Sequence, residues 1–265
     1  MSVLLMTVWL TGCVQEELGS TPSPAGNGIR FTLTVPDVNL PSVSSRTMTG
    51  TGTAKKEDEI ETVDILVFDM SKTPAVYLEC ASATGVTQDL ADNSTVSFSA
   101  VLSPTTASTC IVVVANKELD NIVPGFIKGT TTKVEAMEKM LHAQTGKWLA
   151  DGSTTDGYTR IPMYGEKVIS KITPSMDPIT GINMKRMLAR IDIRNNSATS
   201  NFTVEEVYLA NYNTTGYIAP AWNTNGQVTD PVPDTPVLPA GSGKKTEEGD
   251  AILYSVNGNT PYDGE

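Results

Sequence analysis

EIETVDILVFD, residues 59–69, has apolar side chains on both faces of a single predicted strand. One face carries Val63, Ile65 and Val67, and the other carries Leu66 and Phe68. Because successive side chains of a strand point to opposite sides of a sheet, both faces of this strand need to be covered. The pattern therefore predicts a central strand with packed material on each side.

Several other segments in the first half of the chain also have strand patterns. Residues 28–36 alternate apolar and polar side chains and end at Pro36, which cannot donate to a sheet. CIVVVAN, residues 110–116, is a nearly continuous apolar run. Short strands at this spacing, with turns between them, are typical of a β-sandwich. The predicted strands cover residues 28–36, 59–69, 75–81, 94–102 and 109–116.

One helix is predicted among these strands. Thr132 and Glu135 have the spacing of a capping box, which marks a helix start. Gly146 is a typical residue just beyond a helix end. We expect a helix at residues 132–144 that packs on the outside of the first domain. Its apolar stripe is predicted to consist of Val134, Met137 and Leu141.

The second half of the chain has weaker patterns. A strand is predicted at about residues 182–194, and further strands at 202–210, 215–219 and 251–256. Residues 220–249 contain five prolines, so we expect no central strand there. One face of the strand predicted at 182–194 carries the apolar residues Met187, Ala189, Ile191 and Ile193.

Charge and composition exclude several classes of function. The 265 residues carry a formal net charge of −11, and an acidic surface repels phosphate backbones, so we expect no nucleic-acid partner. His142 is the one histidine, which leaves catalytic Ser–His pairs and His-rich metal sites without partners. The sequence also lacks a phosphate-binding glycine loop and a CxxC motif. We therefore expect no enzyme, no cofactor and no metal site.

The start of the chain has the pattern of a lipoprotein export signal. Residues 1–12 are almost wholly apolar and uncharged, and they are too short to span a bilayer as a helix. Leu10-Thr11-Gly12-Cys13 is similar to a bacterial lipobox, in which the Cys thiol is acylated and the preceding peptide is removed. A chance Gly-Cys pair is the alternative. The sequence favours a lipid anchor at Cys13, followed by a polar tether over residues 14–27.

Cys80 and Cys110 are the other two cysteines, and both fall in predicted strands. Outside the cytoplasm they could form a disulfide. The alternative, which we favour, is that both are small buried apolar side chains.

An ordered set of segments resembles the FimA-type fimbrillins, the subunits of type V pili on certain Gram-negative bacteria. The lipobox at Cys13 comes first, and a loop that contains Arg46 follows the first predicted strand. The later blocks are IETVDILVFD at 60–69, VVVAN at 112–116, IPMYGE at 161–166 and MLARIDI at 187–193.

The resemblance implies an all-β fold of two transthyretin-like β-sandwich domains, with one short helix in the first. The implied organisation is a signal at 1–13, a tether at 14–27, an N-terminal domain at 28–172 and a C-terminal domain at 173–265. We expect the C-terminal domain to be incomplete or divergent.

The resemblance also implies a function: a structural or adhesive subunit of a surface fimbria, exported as an outer-membrane lipoprotein. A protease that cuts after an arginine removes the first strand, and a strand of the next subunit replaces it. Arg46 is the candidate cleavage site, although an ordinary surface arginine is the alternative, and Lys55 and Lys56 are rival sites. The predicted removed strand contributes Ile29, Phe31, Leu33 and Val35.

The implied partners are other fimbrial subunits, in a homo- or hetero-polymer, and the outer membrane through the lipid (palmitate) anchor. Host or bacterial surface receptors are further candidate partners in cell adhesion. A second hypothesis of another class is a surface lipoprotein that binds glycans and does not polymerise.

Overall fold

A computed structural model describes residues 29–35, 59–89, 95–143, 148–149, 160–188, 212–213, 215–228, 238–240, 244–245 and 253–254. Within these ranges strands predominate, together with one α-helix, α1 (Lys133–Lys139), and a 3-10 turn at Val123–Gly125. The strands are β1 (Ile29–Thr34), β2 (Val63–Asp69), β3 (Val76–Ser82), β4 (Thr84–Gln88), β5 (Thr95–Ala100), β6 (Thr109–Ala115), β7 (Leu141–Ala143), β8 (Trp148–Leu149), β9 (Met163–Ile169), β10 (Ile179–Asn183), β11 (Lys185–Arg186), β12 (Tyr212–Asn213), β13 (Thr215–Tyr217), β14 (Lys244–Lys245) and β15 (Leu253–Tyr254).

Two sheets form a sandwich. The first has four strands in the order β10-β1-β5-β4, and the second has five in the order β11-β9-β6-β2-β3. A core of buried side chains from both sheets lies between them. The prediction of an all-β sandwich is confirmed. Members of this core include Phe31, Leu33, Val96 and Phe98 from the first sheet and Ile65, Val67, Ile111 and Val113 from the second.

Strand β2 occupies the central position that its sequence predicts. It pairs antiparallel with β6 on one side and with β3 on the other. Ile65 and Val67 face the core between the sheets, whereas Leu66 and Phe68 face a second apolar cluster behind the five-stranded sheet. Two covered faces explain why this strand has no exposed side.

Helix α1 covers the outer face of the five-stranded sheet, as predicted, but it is shorter than predicted. The capping box is present, because the Thr132 hydroxyl accepts from Glu135 N and Thr132 N donates to the Glu135 carboxylate. The helix ends at Lys139 instead of extending to residue 144. The buried side chains of its C-terminal part are Ala136, Met137 and Met140, while Val134 and Leu141 are half-buried.

A long-range pairing explains the early end of α1. Residues Leu141–Ala143 form β7, which pairs antiparallel with β13, and Ile218 N donates to Met140 O. These hydrogen bonds with a distant segment replace a further helical turn, so tertiary contacts override the local helical pattern. His142 therefore lies on a strand opposite Gly216 and not at a helix end.

Strands beyond residue 172 also belong to the two sheets. Strand β10 pairs with β1, and β11 pairs with β9, so residues up to Arg186 contribute to the two sheets. Strand β4, which has no clear sequence signal, forms the edge of the four-stranded sheet. The division of the chain into two domains stays a prediction. Residues 189–194 and 202–210, where strands were predicted, lie outside the described residues.

In the part of the chain that the structure describes, no helix is long and apolar enough to cross a membrane.

Candidate functional site

The first strand lies in the interior of its sheet. β1 pairs antiparallel with β5 on one side and parallel with β10 on the other. Both edges of its backbone therefore have hydrogen-bonding partners, and neither is a free sheet edge. We call the surface that β1 occupies the β1 seat. It is defined by Val96, Phe98 and Ala100 of β5 and by Ile179 and Ile182 of β10.

The four inward side chains that the sequence predicts for this strand are all buried. Ile29, Phe31, Leu33 and Val35 are at most 4% exposed and belong to the core between the sheets. Along β5, Ile29 is opposite Ala100, Phe31 is opposite Phe98 and Leu33 is opposite Val96. The alternation of residues 28–36 is thus the pattern of a strand with one covered face.

An aromatic pair lies at the second of these positions. The rings of Phe31 and Phe98 stack with centroids 5.0 Å apart and an interplanar angle of 7°. This is an offset-stacked geometry, which aromatic pairs prefer to a perfect sandwich. On the other side of β1, Phe31 is opposite Ile179. The ring therefore lies between an aromatic and an aliphatic neighbour.

Cys13, the predicted lipidation site, and Arg46, the predicted cleavage site, lie outside the described residues. The rival cleavage sites Lys55 and Lys56 also lie outside them. The structure describes the residues on either side of the segment that contains Arg46, which are Val35 and Glu59.

Asn116 fixes residues 59–61, which lie just before β2. Its Nδ2 donates to Glu59 O at 2.8 Å and to Ile161 O at 3.0 Å, and its Oδ1 accepts from Glu61 N at 3.0 Å. Its backbone has a φ of 58°, a conformation that Asn adopts more readily than most residues. Asn116 thus ties together three chain segments, and sequence reasoning gave no sign of this role.

Arg160 also holds residues 59–61, through two ion pairs. Its guanidinium lies 3.1 Å from Glu59 Oε1 and 2.7 Å from Glu61 Oε2. The two carboxylates are partly exposed, so the pairs contribute modestly to stability. Together with Asn116, these contacts hold residues 59–61 against residues 160–161, which lie just before β9.

A buried polar cluster lies behind the five-stranded sheet. Lys133 Nζ is 2.6 Å from Glu166 Oε2, and the Tyr164 hydroxyl donates to the same oxygen at 2.6 Å. Burial, and next the negative charge of Glu166, raise the pKa of Tyr164 well above its ordinary value. The tyrosine therefore stays protonated as a donor. Val228 N donates to Glu166 Oε1, so the C-terminal part of the chain also contacts this cluster.

Cys80 and Cys110, the two cysteines outside the predicted signal, are free thiols. Cys80 is opposite Leu66, and Cys110 is opposite Phe68, so β2 lies between them. Two strand spacings amount to roughly 9–10 Å, which exceeds the reach of a disulfide of about 7 Å. Cys110 is buried, as the preferred prediction has it, whereas Cys80 is only half-buried.

A cavity of about 220 Å³ is lined by Cys80 and by acidic residues. Asp64, Ser82 and Asp120 are among the lining residues. Burial, and next the charges of Asp64 and Asp120, raise the pKa of Cys80 to about 12. The thiol is therefore protonated at neutral pH, and the protonated form is a poor nucleophile.

The described residues also contain no cluster of three or more His, Cys, Asp or Glu that could hold a metal ion. Trp222 packs edge-on against Tyr217, with centroids 4.9 Å apart, and contacts the second apolar cluster. Trp222 is half-buried.

Comparisons with known proteins identify the family. No curated protein matches the sequence at a significant level. A solved structure of a fimbrial assembly protein from Parabacteroides distasonis is similar over 86% of this chain and 89% of that chain, with 12% sequence identity and a TM-score of 0.42. The family model described as fimbrillin-A associated anchor proteins Mfa1 and Mfa2 matches residues 23–261. Because this match spans most of the chain, the protein belongs to the family of fimbrillin-A associated anchor proteins.

Proposed function

We propose that this protein is an anchor-type subunit of a bacterial surface fimbria. The observation that carries the proposal is the family match over residues 23–261, since the family is described as fimbrillin-A associated anchor proteins. In this role the protein contacts other fimbrial subunits and holds the fimbria at the cell surface.

Export as a lipoprotein is part of the proposal. Acylation of Cys13 would attach the N-terminus to the outer membrane, and residues 14–27 would act as the tether between the lipid and the sandwich. The apolar segment before Cys13 and the polar residues after it support this reading.

Strand β1 is the first described element after that tether, so it would transmit a pull from the lipid to the sandwich. Its hydrogen bonds to two strands, its three buried side chains and the buried Val35 that follows it oppose withdrawal. Each such side chain contributes about 1.5–3 kcal/mol when buried. An anchor therefore needs β1 to stay in its seat.

The interior position of β1 also supports a second candidate function, polymerisation by donor-strand exchange. A cut after Arg46 would separate β1 and Cys13 from the rest of the chain. Loss of β1 would leave open backbone edges on β5 and β10 and an apolar slot between them. An extended segment of another subunit could satisfy both.

The two candidates require opposite fates of β1, so they can be separated. Gold-labelled antibody on fimbriated cells should mark the cell-proximal end of each fimbria if the protein is an anchor. Cells in which Cys13→Ala replaces the native protein should shed whole fimbriae into the medium. Label along the full length of the shaft would contradict the anchor role and support the polymer. Fimbriae that stay attached in the Cys13→Ala cells would rule out the lipid tether.

A further inference from the structure

We infer that one end of the sandwich rests on an anionic lipid surface, through three exposed apolar side chains and three lysines. These residues are Val101, Ile127 and Val168, and Lys72, Lys128 and Lys171. They lie at the end of the sandwich where β1 begins, which we call the tether end. The inference rests on the proposed lipid anchor and deepens it, because it states which way the anchor stands on the membrane. Strand β1 stays in its sheet throughout.

The strand register brings one end of both sheets together. β1 begins at this end, where Ile29 is opposite the last residue of β5. β6 begins here too, since Thr109 is opposite the last residues of β2 and β9, and residues 101–108 connect β5 to β6. At the opposite end of the sandwich, Gln88 at the end of β4 accepts from Ile60 N, just before the start of β2. The tether therefore enters the sandwich at a defined end.

Three large apolar side chains at the tether end are exposed. Val101 directly follows β5 and is 66% exposed, and Val168 near the end of β9 is 53% exposed. Ile127 is 63% exposed and lies beside the start of β3, because Thr131 donates through its N to Ile127 O and accepts at its O from the second residue of β3. One such side chain alone would need no explanation. Three at the end that carries the tether fit the interface of a bilayer.

The charged residues at the tether end are mainly lysines, although the chain as a whole has a net charge of −11. Lys72 lies between β2 and β3, Lys128 lies in the segment beside β3, and Lys171 follows β9, and all three are exposed. The acidic residues at this end are Asp177, which is exposed, and Asp69, which is half-buried at the end of β2. The tether end is thus locally basic on an acidic protein.

The opposite end of the sandwich is acidic. Asn116 holds residues 59–61 there, and residues 117–120 follow it. These two segments and the neighbouring Arg160 carry four carboxylates, Glu59, Glu61, Glu118 and Asp120, and two cations, Lys117 and Arg160. An anionic lipid surface attracts lysines within about a Debye length of 10 Å and repels carboxylates. The difference between the two ends therefore favours the orientation with the tether end toward the lipid.

The length of the proposed tether agrees with this orientation. Fifteen residues, 14–28, separate Cys13 from β1. A linker of this length that is rich in Gly, Ser and Pro spans roughly 20 Å on average, about the length of a six-residue strand. The tether end is then nearer to the lipid than the opposite end. A weak contact is sufficient, because tethering makes the encounter with the surface intramolecular.

The test holds the sandwich on vesicles without depending on acylation. Histidines replace residues 5–12 in the full-length Cys13→Ala chain, which is bound to vesicles of phosphatidylcholine, phosphatidylglycerol and a nickel-chelating lipid. A fluorophore is attached through Val101→Cys or Val168→Cys at the tether end, or through Thr62→Cys at the opposite end, where Thr62 is also exposed. Quenching by a lipid with a nitroxide headgroup measures how close each fluorophore lies to the bilayer. The chain without an added cysteine measures background labelling of the two native thiols.

We expect the fluorophores at residues 101 and 168 to be quenched at least about threefold more strongly than the one at residue 62. Replacing Lys72, Lys128 and Lys171 together by Gln should remove most of this difference, and so should vesicles without phosphatidylglycerol. The control Lys117→Gln, at the opposite end, should leave the difference unchanged. All these positions are at least partly exposed, so the variants should fold.

Several results would overturn the inference. Equal quenching at both ends would show that neither end is preferred, and no quenching at either end would show that the sandwich stays away from the lipid. Strong quenching at residue 101 that survives the loss of all three lysines would rule out recognition of an anionic surface. Shielding of residue 101 by another fimbrial subunit and not by vesicles would make this end a protein contact. A failure of the lipid anchor is detected separately, by the absence of a fatty acid from the native protein, because the histidines replace the lipid in this test.

Discussion

Lys133 Nζ lies 2.6 Å from Glu166 Oε2, and the Lys133 side chain is only 1% exposed. Lys133 is the first residue of α1, and Glu166 is on β9, so the pair joins the helix to the five-stranded sheet. Gly226 packs directly on Lys133, because a Cβ added at residue 226 would lie 3.2 Å from Lys133 Cβ. The C-terminal part of the chain thus covers a charge pair of the N-terminal sandwich.

Removal of one member of this pair should destabilise the protein strongly. Glu166→Gln keeps the shape of the side chain but leaves a buried ammonium without a counter-charge, which we expect to cost about 3 kcal/mol in the free energy of unfolding. The matched control is Glu61→Gln, which removes the carboxylate that pairs with Arg160. The Glu61 side chain is 60% exposed, so this change should cost less than about 1 kcal/mol. Urea unfolding measures both, and equal losses would argue against a buried pair.

Gly165 should not tolerate a larger residue. A Cβ at this position of β9 would lie 2.7 Å from Met184 Sδ and 2.8 Å from Ile182 Cγ2, at the point where the two sheets meet. We therefore expect Gly165→Ala to cost about 1–3 kcal/mol by overpacking. Gly125→Ala is the control, since nothing lies within 4 Å of its added Cβ. A thermal shift as small in Gly165→Ala as in the control would contradict this close packing.

Cys80 and Cys110 should react slowly in the folded protein. Burial is the main cause that raises the pKa of each thiol from 9.0 to about 12. The reactive thiolate is then about a thousandfold scarcer at pH 8 than in the unfolded chain. With a Cys13→Ser variant, Ellman's reagent should label both thiols quickly in guanidinium chloride and very slowly without it. Equally fast labelling under both conditions would show that the strands open readily.

The same thiols predict the sign of an alkaline transition. Their pKa is higher in the folded than in the unfolded state, so the folded state holds its protons longer. The free energy of unfolding should be unaffected below about pH 9 and should fall as the pH rises from about 9 toward 12. Replacing Cys80 by Ala should reduce this slope, as measured by urea unfolding at a series of pH values.

Acylation of Cys13 has a direct chemical test. Metabolic labelling with a radioactive fatty acid should label the native protein and not Cys13→Ala. The variant should also leave the membrane fraction and keep its first twelve residues, because processing of a lipoprotein signal depends on the modified cysteine. A native protein without label would remove the lipid anchor from the proposed function.

Strands could be predicted from the sequence where the burial of their side chains alone determines which residues are apolar. The apolar residues on both faces of β2 correctly indicate a central strand, and the alternation of residues 28–36 correctly indicates the buried side chains of Ile29, Phe31, Leu33 and Val35. The helix start at Thr132 was predictable because a capping box is a local device. The family resemblance added the fimbrial role, which no catalytic or metal-binding motif could have indicated.

Features that depend on distant segments were not predictable from these patterns. α1 ends early because Leu141–Ala143 pairs with residues more than seventy positions away, at Thr215–Tyr217. The parallel pairing of β1 with β10 has no local signal for the same reason. The burial of Lys133 has no local signal either, because it depends on Glu166 and Gly226, which are distant in the sequence.

Arg46 provides the sharpest test of the two fates of β1. It follows a strand whose loss would be costly unless another strand replaces it, and Ser44, Ser45, Thr47 and Thr49 surround it, a composition typical of an exposed loop where proteases cut. If strand exchange operates, an arginine-specific protease should yield a fragment that begins at Thr47, and polymers should appear only after that cut. Arg46→Ala should then stay monomeric under the same treatment.

The anchor role predicts a different result from the same experiment. β1 and Cys13 lie on the same side of Arg46, so a cut followed by loss of β1 would free the sandwich from the membrane, which an anchor cannot allow. An anchor should therefore be recovered uncut from fimbriated cells, with its N-terminus at the acylated Cys13. A cut at Lys55 or Lys56 would point to a protease of broader specificity. Polymers that form equally well from uncut Arg46→Ala would rule out proteolysis as the trigger, because the seat would then open while β1 is still joined to the chain.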